Sequence, residues 1–200
     1  MFTPMNNPNT FAALAFLSGS SPDREGRYVT EYLAFTPERW EECHNHIQWA
    51  FPSSVPSMFN PNAPIIDFNE FLRHTYVDGF PVSGHTEDVY IALSRLMDRY
   101  MDSIGIGVTD CGSVYLMDSQ RPERVQWMNN PRDHNMRRLT RLFMLWHHLQ
   151  IPLQEFGCNN VVIYFESVYY YISTLMRTAW GDEMEETLQY WDRAFHQGTN

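Results

Sequence analysis

A carboxylate three residues before a histidine on one helix face holds the imidazole tautomer and raises its basicity, the local arrangement of a general base. The stretch from Trp40 to Pro52 carries such a pair. Glu41, His44 and Gln48 stand at i, i+3 and i+7, beside an apolar stripe of Trp40, Ile47 and Phe51. The same spacing equally describes a core-edge histidine, satisfied by Glu41 or a backbone carbonyl and doing no chemistry. A second cluster runs from Arg132 to Arg141. Asn135, Arg138 and Arg141 fall along one side of a predicted helix, with Leu139, Phe143 and Trp146 along the other. His134 and Asn135 occupy its first turn, where unbonded amide N–H groups favour an anion. Arg138 and Arg141 could grip a carboxylate or phosphate there through paired N–H donors. Against this stands pairing with the chain's own acids, Glu41 among them. The short run Asp23-Arg24-Glu25-Gly26-Arg27 either contributes a further arginine, Arg27, or forms a turn.

Other chemistries find little support. His44 and His46 are two apart and point to different sides of a helix, as do the adjacent His147 and His148. No HExxH or paired-cysteine spacing occurs, so neither a metal nor a cofactor is expected. Cys43, Cys111 and Cys158 form no disulfide framework, and there is no GxSxG or GxGxxG. All 14 basic residues are arginine, which excludes a Schiff-base or phosphate-loop lysine.

These side chains need elements to hold them, and the periodicity is helical almost throughout. Thr36-Pro37 reads as an N-cap and first helical position, with Pro52 as the stop. Asp67 caps a short helix bearing Phe68, Phe71, Leu72 and Thr75. A clearer helix opens at Thr86 and turns Val89, Leu93, Leu96, Met97, Tyr100 and Ile104 inward. The next runs from Pro131-Arg132-Asp133 to about Gln150 and is closed by Pro152. Asn159-Asn160 starts another, with Val161, Phe165, Val168, Ile172, Leu175 and Ala179 as its stripe. The last puts Met184, Leu188, Trp191 and Phe195 on one face. The expected fold is all-α: one domain over 1–200 with five to seven amphipathic helices. Irregular loops fall at 53–66 and 105–130, where Val114–Met117 is either a short strand or packed loop. A C-terminal helix over 182–196 packs on the rest.

With 44% hydrophobic and 19% charged residues, the chain can bury enough surface to fold unaided. A net charge of −10 argues against strong nucleic-acid binding. Six arginines within 121–141, against Glu123 and Asp133, give that segment +4 and leave −14 elsewhere. No run approaches the ~20 apolar residues of a membrane span. Phe11–Leu17 is too short, and lacks a basic lead, for a signal peptide. The expected setting is a cytoplasmic, reducing compartment.

Four separated motifs together resemble the conserved region of the opioid growth factor receptor family. The first is Glu41…His44, two residues, then Ile47-Gln48-Trp49-Ala50-Phe51-Pro52. The second is Ser57…Asn60…Ala63-Pro64, the third Asp23…Gly26-Arg27. The fourth is His134-Asn135 with Arg138-Leu139-Thr140-Arg141. They cover about residues 11–178, with Ala50 where the family usually has Leu and a poor match over 105–125. The resemblance implies a stand-alone relative lacking the repeat-bearing tail of the vertebrate receptor, whose animal member binds enkephalin.

The preferred reading is a binding module. Arg27, Glu41, His44, Gln48, Trp49, His134, Asn135, Arg138 and Arg141 would wall one polar cleft for a small anionic ligand or a peptide. One alternative is an enzyme in which Glu41 and His44 are catalytic, as the base, with Arg138 and Arg141 stabilising the anion of a phosphate ester. The other is a structural polar network whose acidic outer surface docks a protein partner.

Overall fold

In a computed structural model of the chain, the described residues are 7–42, 44–57, 60–77, 80–81, 84–109, 111, 113–118, 120–155, 157 and 159–199, leaving aside the side chains of 44–45, 76–77, 80–81 and 84–86. The architecture is all-α, with nine α-helices and two small hairpins among the described residues. No helix there is long and apolar enough to cross a membrane. The chain divides into two compact units, Met1–Met97 and Asp98–Asn200.

The first unit begins with α1 (Pro8–Leu17), capped by Asn7, whose Oδ1 accepts from the amides of Asn9 and Thr10. After α2 (Val29–Leu33) come α3 (Pro37–Glu42) and α4 (His44–Ala50), with Cys43 between them outside the described residues. Thr36 caps α3 through the Arg39 amide at 3.3 Å, and Trp40, Ile47 and Phe51 are buried as their spacing requires. The expected loop at 53–66 is irregular apart from a single bridge between Ser53 and Ile65. Asp67 caps α5 (Phe68–Thr75), its Oδ1 accepting from the Glu70 amide at 3.0 Å. A short hairpin, β1 (Tyr76–Val77) with β2 (Phe80–Pro81), leads to α6 (Gly84–Ser103). Gly79, which with Pro81 reads in the sequence as the end of the Asp67 helix, lies outside the described residues.

α6 continues into the second unit, and all six of its expected inward side chains, Val89 to Ile104, are buried. The undecided stretch after it contains a three-residue hairpin, β3 (Ile106–Val108) against β4 (Val114–Leu116), then a 3-10 helix over Pro122–Asn129. Gly107 faces Tyr115 across that hairpin. A Cβ there would come within 2.5 Å of the tyrosine ring.

α7 (His134–Glu155), α8 (Asn159–Trp180) and α9 (Glu185–Gln197) build the core of this unit. Two expectations shift. Pro152 does not close α7 but sits inside it, buried, and the helix runs one turn further despite the missing N–H. On α8 the buried stripe is Val162, Phe165, Val168, Tyr169, Ile172 and Met176. Val161 and Leu175 are only half-buried and Ala179 is exposed. The stripe is rotated because Tyr169 stacks on Phe195 of α9, centroids 4.0 Å apart, and donates its hydroxyl to Asp192. The end of α9 is fastened to α7 by neighbouring histidines: His147 Nδ1 lies 3.1 Å from the Phe195 carbonyl and His148 Nε2 3.3 Å from that of Gly198. Gly198 closes the helix with φ at 66°.

Candidate functional site

α7 opens on its own acid. Asp133 accepts the Asn135 amide at 2.8 Å through Oδ1, and its backbone carbonyl accepts that of Met136. The first-turn amide donor expected to meet an external anion is thus occupied from within. His134 Nδ1 stands 3.6 Å from the same carboxylate, an ion pair when the ring is protonated. Asn135, fully buried, is the hub of a polar chain: its Oδ1 accepts from the Tyr100 hydroxyl at 2.9 Å and from Arg138 Nη1 at 3.1 Å. Sequence reasoning missed Tyr100, because the partner lies 35 positions away and its spacing marks it only as core.

Arg141, one turn beyond Arg138 on the same side of α7, is different. Its Nε and Nη2 are buried and have no hydrogen-bond partner among the described residues. Burial pulls its pKa down to about 10, so the guanidinium is still charged at neutral pH. An uncompensated buried cation is costly, because each unmet donor loses its water without replacement.

The remaining candidates lie in the first unit. Arg27 is spent on its own turn: Nε donates to Asp23 Oδ2 at 3.1 Å and Nη2 to Glu25. Asp23 also accepts the Arg27 and Glu25 amides and the Tyr32 hydroxyl. Burial works to raise the Asp23 pKa, but those hydrogen bonds outweigh it and hold the carboxyl below its usual range. Of the two alternatives for Asp23–Arg27, the turn is what the geometry presents. Glu41 is exposed, and the side chain of His44 lies outside the described residues. Gln48 is buried, with its amide near Ser57 Oγ (3.4 Å) and Asn60 Nδ2 (3.5 Å). Trp49 is also buried, edge-on to Phe16 at 5.5 Å.

His46, which the sequence offered only as a poor metal ligand, is 1% exposed, with both ring nitrogens unpartnered among the described residues. It packs against Tyr32 and Phe35, centroids 4.8 and 4.6 Å away. Burial first, and the positive charges of Arg27 and Arg39 next, push its pKa down to about 4.

The second unit also holds a cavity of about 330 Å³ lined in part by Asp98, Asp102, Gly107, Tyr115 and Tyr164. Asp102 is paired with Arg124 at 3.2 Å, and burial raises the Asp98 carboxyl above its ordinary value. Arg99 also lines it, so Arg99 and Arg124 offset the two carboxylates and leave no net charge of either sign to select an ion.

Arg27, Glu41, His44, Gln48 and Trp49 therefore belong to the first unit, and His134, Asn135, Arg138 and Arg141 to the second. Within the second, the structure joins Asn135 to Arg138, and among the described residues Arg141 Nε and Nη2 have no partner. No protein-family model, curated protein or solved structure matches the chain.

Proposed function

We propose that this chain is a helical anion-binding module whose anchor is Arg141 on α7. The observation that carries the reading is that Arg141, a half-buried and charged residue, has its Nε and Nη2 sealed and unmet among the described residues. Such a group is short of one negative charge, and the donor set is that of an anion receptor. Because both nitrogens are sealed, the ligand enters only when the packing over them parts. The unmet burial lowers the cost of that opening, so binding and local opening are coupled. The four motifs shared with the opioid growth factor receptor conserved region support a kinship that includes this helix. They do not supply a ligand.

A second reading, the closed structural network, is favoured by one specific observation: the Tyr100–Asn135–Arg138 chain is buried and bonded internally. In the reading preferred here, those three residues brace the start of α7, and Arg141 alone contacts the ligand.

Two measurements test this. In a thermal-shift panel of acetate, benzoate, phosphate, sulfate, nucleotides and short peptides, at least one anion should raise Tm saturably. At a hundredfold excess over Kd the gain is about 2.7 kcal/mol, or roughly 5–10 °C for a chain of this size. Arg141→Gln should abolish the response, and a flat panel for the parent protein rejects the anchor role. Separately, Arg141→Met keeps the apolar stem and removes the stranded charge. Without ligand, it should be more stable than the parent by about 1–3 kcal/mol in chemical denaturation. A loss of similar size would mean the guanidinium is satisfied in solution.

A further inference from the structure

We infer that the group Arg141 recognises is a carboxylate, a conclusion that rests on the anion-binding reading above. The two unmet nitrogens are Nε and Nη2, which lie on one edge of the guanidinium plane with near-parallel N–H directions. That edge is a two-pronged donor, and its complement is two oxygens on one planar atom. Charge points the same way. A single stranded cation is neutralised by a monoanion, whereas a phosphate dianion would carry an unmatched charge and further oxygens into the site. Toward the start of the helix the donors are engaged: the Asn135 amide goes to Asp133 and Arg138 Nη1 to Asn135 Oδ1. One turn beyond Arg141, Met144 and Leu145 are buried, so the surroundings favour a carboxylate on an apolar body over a highly hydrated ion.

The test titrates the full chain with benzoate, acetate and inorganic phosphate at fixed ionic strength. It follows Tm and the ¹⁵N–¹H signal of the Arg141 Nε. Benzoate should bind saturably, at least about tenfold more tightly than phosphate, and should move the Nε signal. Arg141→Lys keeps the charge but loses the planar fork, so it should weaken benzoate by at least about tenfold and narrow the preference over phosphate. Phosphate binding equal to or tighter than benzoate, and dependent on Arg141, would overturn the carboxylate assignment while leaving the anion-binding reading intact. If no anion moves either the Nε signal or Tm, both fall. The Nε signal is read on the parent protein and stays decisive even where a variant does not fold.

Discussion

Replacing Trp191 with alanine is expected to cost about 3–5 kcal/mol in chemical denaturation. The indole is completely buried, meets Phe143 edge-on at 5.6 Å, and donates Nε1–H to the Met136 carbonyl on α7 at 3.1 Å. Truncation therefore removes the largest side chain joining α9 to α7 and opens a cavity at their interface. The carbonyl itself keeps the Thr140 hydroxyl, 3.0 Å away, so the loss falls on packing rather than on a stranded acceptor. Trp191→Phe, which retains most of the ring, should lose about 1 kcal/mol from the missing donor and roughly as much again from the reduced volume. If alanine cost less than 1 kcal/mol, α9 would not be anchored through this residue.

Acid should unsettle the first unit through His46. The ring is neutral in the fold, with its pKa near 4, and in the unfolded chain it takes up a proton at about 6.5. The unfolded state thus binds the additional proton, and stability rises with pH across that interval. Above pH 6.5 the contribution is complete. It is lost at about 1.4 kcal/mol per pH unit as pH falls, about 3 kcal/mol by pH 4, and no further below. The charges that face the ring act on both sides: Arg27 and Arg39 oppose protonation, and Asp23 and Glu25 favour it. Asp23, whose own pKa is depressed, loses its stabilisation below 3.8 and so outside this window. His46→Phe fits a pocket already bounded by Tyr32 and Phe35, and should flatten the stability–pH profile between 4 and 6.5. An unchanged slope in that variant would show that other groups carry the acid response.

The helices with a polar face and an unambiguous cap were legible from residue order. Asp67 does cap α5, and the inward positions of α6 and α9 were read correctly because a 3.6-residue stripe leaves one answer. α1 went unread despite the Asn7–Pro8 start, since Phe11–Leu17 is apolar on every side and shows no period. Of the β3–β4 hairpin, only β4 was read, as one of two alternatives for Val114–Met117, because three-residue strands are set by their partner and the steric match of Gly107 under Tyr115 is not a local signal. The arginine side of α7 was visible as a face. Which arginine is satisfied was not, because Arg138 shares the acceptor Asn135 with Tyr100, a residue of another helix. The first-turn amides could have been foreseen as engaged: Asp133 stands in the position from which an acid caps its own helix.

The paired imidazoles that fasten the end of α9 have their tautomers fixed by that contact. A carbonyl oxygen can only accept, so His147 must carry its hydrogen on Nδ1 and His148 on Nε2, opposite tautomers in adjacent residues. Burial holds the His148 pKa below its ordinary value, as it does that of His46, so the fold keeps both rings neutral. A flip of either ring would put a carbon where the donating nitrogen stands, so the end of α9 is keyed to one orientation of each histidine.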